Sequence, residues 1–104
     1  MGRLELNGDV YYVEVIPFED KSEKDDTGQY EYYYKGKYLL FRSEKEMIRA
    51  RIYDGEDVIS FSKNPACIFG KDLEKLKEYL KEKYGVKKFG FLNKENSRLQ
   101  LFLA

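Results

Sequence analysis

The sequence predicts an α+β domain: an antiparallel β-hairpin meander of six to eight strands, packed against one α-helix in the C-terminal half at about residues 71–84 and followed by a final β-hairpin. Three observations carry that expectation. Ten tyrosines and seven phenylalanines fall largely in short alternating runs, and a period of two marks strands with one face on a core. The pairs Asn7-Gly8, Lys35-Gly36 and Asp54-Gly55 punctuate those runs in the manner of two-residue hairpin turns. One stretch alone repeats its apolar residues at spacings of three and four, the period of a helix. At 104 residues the chain has the size of one ordinary domain, and residues 1–104 are assigned to it.

The first hairpin turns at Asn7-Gly8, a pair that tolerates the positive φ a type I′ turn needs at both positions. Pairing Leu6 with Asp9 then sets Leu4 opposite Tyr11. Leu4, Leu6, Tyr11, Val13 and Val15 share one face, and Arg3, Glu5, Tyr12 and Glu14 the other. Pro17 is expected to end the strand, and residues 19–28, without one apolar side chain, to form a mobile surface loop. A second hairpin is expected to turn at Lys35-Gly36. It would place Tyr30, Tyr32, Tyr34, Leu39 and Phe41 on one face and Glu31, Tyr33, Tyr38 and Leu40 on the other, a strand pair apolar on both sides.

Residues 43–53 admit two readings. Ser43-Glu44-Lys45-Glu46 has the form of a helix-capping box, but a helix here would put Arg51 inside the stripe of Met47, Ile48 and Ile52. A strand with a two-residue turn at Asp54-Gly55 instead opposes Ile52 to Asp57, Ala50 to Ile59 and Ile48 to Phe61. That gathers the apolar residues on one face and turns Arg49, Arg51 and Tyr53 outward, so strand is preferred. The helix is carried by Leu73, Leu76, Leu80 and Tyr84, with Asp72 at its positive end and Gly85 just past its close. The last hairpin pairs Phe89 and Phe91 with Leu99, Leu101 and Leu103 across a turn at Asn93–Asn96. Its closing strand is expected to be buried in the sheet; left as an uncovered edge, it would invite dimerisation.

The residue inventory narrows the chemistry. There is no histidine, which removes the imidazole general base, the Ser-His-Asp and Cys-His pairs and any His-containing zinc site. Cys67 is the single cysteine. Its neighbours Pro65, Ala66, Ile68 and Phe69 mark it as a buried apolar residue in place of a nucleophile, and its isolation fits a reducing compartment, the cytoplasm. No run approaches the roughly 18 apolar residues of a membrane span, so a membrane is not an expected partner. The glycines form no phosphate loop. Asp25-Asp26 and the Asp54, Glu56, Asp57 group lack both the spacing of a calcium loop and a scaffold to converge on a substrate. No catalytic residue, metal or cofactor is therefore expected.

Nineteen basic and nineteen acidic side chains cancel in net charge, yet residues 1–31 hold nine acids against three bases. The strongest constellation is aromatic and basic: Tyr33, Tyr38 and Tyr53 with Lys35, Lys37, Arg49 and Arg51, adjacent if the second and third hairpins are neighbours. Tyrosine and arginine are enriched at protein interfaces, and tyrosine rings with nearby cations also suit single-stranded nucleic acid. The expectation is a small non-enzymatic binding protein that acts through an aromatic and basic sheet face or an exposed edge, on a protein partner or a second copy of itself. A single-stranded nucleic-acid-binding protein is the alternative, and a histidine-free carboxylate enzyme a weaker one. Arg51→Glu is expected to leave folding nearly intact, because Arg51 lies on the outer face.

Overall fold

The structure, a computed structural model, describes residues 2–21, 33–54, 57–93 and 98–103. Within them the chain runs β1 (Gly2–Leu6), β2 (Asp9–Lys21), β3 (Tyr33–Arg42), β4 (Met47–Tyr53), β5 (Val58–Phe61), α1 (Pro65–Phe69), a 3₁₀ turn (Gly70–Asp72), α2 (Leu73–Tyr84), β6 (Lys88–Asn93) and β7 (Arg98–Leu103). The strands form one seven-stranded sheet in the order of the chain. Every neighbouring pair is antiparallel except β5 and β6, which are parallel. The exception has a physical reason, since a parallel pair needs a long crossover and the helical segment lies between those two strands. The α+β architecture, the helix and the closing strand pair stand as the sequence predicts.

Asn7 and Gly8 both take positive φ, 53° and 77°, and Leu6 pairs with Asp9 and Leu4 with Tyr11, the register the turn pair implies. Asn7 also ties the hairpin to the helical segment. Its side-chain amide donates to the Ile68 carbonyl at 2.9 Å, and its backbone N–H donates to the Asp72 carboxylate. Ser43 proves a turn residue: its Oγ accepts from the N–H groups of Lys45 and Glu46, each at 3.2 Å, and the strand begins at Met47. The helical segment opens earlier than the apolar spacing indicates. Asn64 Oδ1 accepts from the Ala66 N–H at 3.0 Å, with Pro65 in the first helical position, where its missing N–H costs nothing. Gly85, at φ 66°, closes α2.

Four expectations are corrected. Pro17 does not end β2; it pairs with Lys37 within a strand that runs on to Lys21. β1 reaches only as far as Val13, so beyond that point β2 is an edge, where a proline's absent donor is tolerated. Glu19, Asp20 and Lys21 therefore belong to a strand, and the rest of the expected acidic loop lies outside the described residues. Lys35-Gly36 is not a turn. β3 passes straight through it, with Gly36 opposite Phe18 on one side and Tyr53 on the other. The β4–β5 register is shifted by two, Ile52 facing Ile59 and Ala50 facing Phe61; a shift of two preserves which face each side chain takes. Cys67 is exposed, not buried, because α1 buries Pro65 and Phe69, one turn apart, and leaves position 67 on its outer side.

The core lies between the sheet and the helical segment. Leu6, Tyr11 and Val13, Leu39 and Phe41, Ile48, Ala50 and Ile52, Ile59, Phe61 and Phe89 cover one sheet face, and Phe69, Leu76, Leu80 and Val86 close over them. Phe69 sits at the junction, its ring centroid 5.5 Å from that of Tyr11 and 5.9 Å from that of Phe41. The opposite sheet face has no helix on it among the described residues.

Candidate functional site

Strand alternation assigns each expected site residue to a face. On β4, Ile48, Ala50 and Ile52 are buried towards the helix, so Arg49, Arg51 and Tyr53 belong to the open face, as the sequence indicates. On β3, Leu39 and Phe41 point to the helix, which puts Tyr34, Tyr38 and Arg42 on the open face. Positions 35 and 37 fall in the other set, so Lys35 and Lys37 are separated from Tyr38, Tyr53, Arg49 and Arg51 by the thickness of the sheet, while the Tyr33 side chain lies outside the described structure. The error traces to Gly36: a two-residue turn would have exchanged the faces of the residues after it, whereas a continuous strand keeps them. Lys37 instead lies 5.8 Å from the Tyr84 ring centroid on the helix side, and Lys35 reaches Glu19 at 4.0 Å.

The four residues that share the open face are brought together, with one member that sequence reasoning missed. Phe18 occupies the row Phe18, Gly36, Tyr53 across three strands. A Cβ on Gly36 would meet the Phe18 ring at 2.7 Å and run into the Ile52 carbonyl oxygen. Glycine is there so that the ring can lie down over the strand. From that position Phe18 packs 4.5 Å from Tyr38 and 5.5 Å, edge to face, from Tyr53, and Tyr53 meets Tyr34 at 5.6 Å. The Arg51 guanidinium lies among them, 4.5 Å from the Phe18 ring centroid, 5.0 Å from Tyr53 and 5.2 Å from Tyr38. Its Nη2 donates to the Tyr38 hydroxyl at 3.0 Å. Arg49 also lies over the Tyr38 ring, 5.6 Å from its centroid. Each ring–cation contact of this kind is worth about 0.5–2 kcal/mol, more as water is excluded. The signal available in the sequence was Pro17-Phe18, an apolar residue beyond the expected strand end.

The rest of the open face is apolar in patches. Tyr12, Ile16, Tyr34, Met47, Leu92 and Leu101 are all large and exposed and all lie on it; among the described residues Val15 is the one exposed large apolar residue on the helix side. Leu101, expected to be buried, is 54% exposed, because β7 pairs it with Gly90 on the side that α2 does not cover. β7 is also an edge of the sheet. Between Arg51 and Leu92 the surface dips at Ser60 into a hollow of about 170 Å³. Charges at the other end of the face are mutually paired, Arg3 with Glu5 at 3.1 Å and Arg42 with Glu14 at 3.7 Å.

No grouping of three or more histidine, cysteine, aspartate or glutamate side chains that could hold a metal occurs among the described residues. Asp25, Asp26 and Glu56 lie outside those residues. Two tyrosines titrate abnormally on the helix side. Burial, a hydrogen bond to the Glu46 carboxylate at 3.1 Å and the charges of Glu46 and Asp9 push Tyr11 up to about 12. Burial, with Tyr84 beside it, pushes Tyr79 up to about 12. Both shifts favour the neutral phenol and serve packing; neither group reaches the open face. No helix among the described residues is long and apolar enough to cross a membrane. No family model, curated protein or solved structure matches the chain.

Proposed function

We propose that this is a small non-enzymatic binding protein whose open sheet face receives another protein. The observation that supports the reading is the sidedness of the apolar surface: among the described residues, nearly all of the large exposed apolar side chains share the one face that no helix covers. Contiguous exposed apolar surface rimmed by charge is characteristic of protein interfaces, and the caged Arg51 with its tyrosines has the composition of an interface hot spot. A reducing compartment, the cytoplasm, suits the lone exposed thiol of Cys67.

Single-stranded nucleic acid is the less favoured reading. Base stacking needs an open ring face and phosphates need a row of cations. Here the Tyr38 ring is flanked by Arg49, Arg51 and Phe18, and Lys35 and Lys37 belong to the opposite side of the sheet. The test is site-specific photo-cross-linking in cell extract from Tyr12, Met47 and Leu92 on the open face, with Lys75 on the helix as control, alongside binding of labelled DNA and RNA oligomers at two salt concentrations. Protein adducts from the open face alone are expected. Equal adducts from Lys75, or oligomer binding that weakens steeply with salt, would overturn the reading.

A further inference from the structure

The edges of the sheet are not defended alike. A strand edge offers a row of unpaired N–H and C=O groups, and proteins blunt such rows with charge, proline or short strands. β1 is five residues long and carries Arg3 and Glu5. The part of β2 that β1 does not cover carries Glu14, Pro17, Glu19, Asp20 and Lys21. β7, the last strand in the sheet order, has none of these devices. In Arg98-Leu99-Gln100-Leu101-Phe102-Leu103 the one charge is at the first residue, and there is no proline or glycine.

Both flanks of β7 are open at its middle. Leu101 lies opposite Gly90 on the open face and is 54% exposed. Gln100 lies opposite Phe91, on the side of the core residue Phe89, and is exposed as well. The helical layer thus stops short of this strand, and among the described residues nothing stands over its middle, so a second sheet can approach in the same plane.

The unpaired backbone of an extended strand is matched by another extended strand, and a second β7 matches this one in both charge and apolar pattern. A two-fold axis perpendicular to the sheet pairs the strands antiparallel and keeps like faces together, so the axis passes through a residue. With the axis at Leu101, Leu101 meets its own counterpart, Leu99 is opposite Leu103 and Gln100 is opposite Phe102. The two Arg98 residues then lie at opposite ends of the ladder, about 20 Å apart, beyond the reach of their repulsion at physiological salt. An axis at Gln100 would set Arg98 opposite Phe102 and leave Leu103 outside the ladder.

We propose that β7 is a dimerisation edge: two copies of the chain pair antiparallel through Arg98–Leu103 about a two-fold axis at Leu101 and join their sheets into one. The edge pairing is separate from docking on the open face and does not depend on it. It sets two open faces side by side, with Leu92 and Leu101 of each copy near the seam.

The experiment is sedimentation equilibrium of the full chain over a range of concentrations, with amide hydrogen exchange followed at the same concentrations. A monomer–dimer equilibrium in the micromolar range is expected, as suits a small contact, with exchange at β7 slowing as the dimer forms. Leu101→Lys and Leu101→Glu each set like charges together at the axis and should weaken association about tenfold or more. An equimolar mixture of the two should recover it, because the axis at Leu101 brings position 101 of one copy opposite position 101 of the other. Met47→Lys, on β4 and away from this edge, should leave association unchanged. Both Leu101 variants change an exposed side chain, and retention of the fold is checked by protection of the core amides. The proposal is overturned by a chain that stays monomeric up to millimolar concentration, by association that Leu101→Lys spares or Met47→Lys weakens, or by a mixture no better than its components. Slow exchange at β7 in a strictly monomeric chain would mean that a segment of the same chain covers the edge, and overturns it as well.

Discussion

Gly36 shows how much one residue can decide. In an extended strand a glycine is a weakness, and here it is kept because the Phe18 ring and the Ile52 carbonyl occupy the space of a Cβ. Gly36→Ala is therefore expected to cost about 1–3 kcal/mol through overpacking, read as a lower urea midpoint. Arg51→Glu is not the neutral change that its outward position suggests. A carboxylate among three ring faces loses the cation–π contacts and meets repulsion, and a loss of about 1–3 kcal/mol is expected on thermal denaturation. Tyr11 gives a pH signature. Its hydroxyl ionises near 10.0 when unperturbed and at about 12 in the fold, so folding favours the neutral form. That stability is fully present below pH 10 and is lost as the pH rises through 12. Alkaline unfolding curves should flatten in Tyr11→Phe, while phenolate absorbance in the native protein should show a late-ionising fraction that this variant reduces.

Among the elements, the first hairpin and the helical segment act as a unit. The turn residue Asn7 supplies a left-handed conformation that asparagine tolerates and two hydrogen bonds that reach α1 and the start of α2. Asn7→Ala should lose both the turn preference and the bond to Ile68, about 1–2 kcal/mol in all. Asn7→Gly keeps the turn and loses only the side-chain bond, so its denaturation midpoint should fall between those of the wild type and the alanine variant. Equal losses for the two would show that the tie to the helix, and not the turn, is what matters. The long β2–β3 pair extends beyond β4, whose last partner on β3 is Gly36. Phe18 lies in the last row that β4 still covers, opposite Gly36, and packs there on Tyr38 and Tyr53.

At the level of the molecule, the governing feature among the described residues is a sheet with a helical layer on one side. Adjacent residues of β4 provide the contrast: Ile48 is 2% exposed and Met47 55%. Ile48→Ala should cost about 2–5 kcal/mol by leaving a cavity, while Met47→Ser should change stability by less than about 0.5 kcal/mol. Matching losses at the two positions, measured by chemical denaturation, would mean that something covers the open face in solution.

Sequence alone determined the α+β class, the first hairpin, the helix, the closing strand pair and the sidedness of β4, because alternation and helical spacing are local properties of the chain. It did not see that β2 runs through Pro17 or β3 through Gly36. Even the wrong β4–β5 register left Arg49 and Arg51 on the correct face, since a shift of two residues does not change sides. Only the tertiary structure decided what depends on contacts remote in sequence. Gly36 reads as a turn until Phe18 is seen lying over it, and that one residue moved Lys35 and Lys37 away from the face shared by Tyr38, Tyr53, Arg49 and Arg51. The exposure of Cys67 and Leu101 likewise follows from which sides α1 and α2 bury. An apolar residue's neighbours in the chain state that it can be buried; whether another element arrives to bury it is a fact of packing.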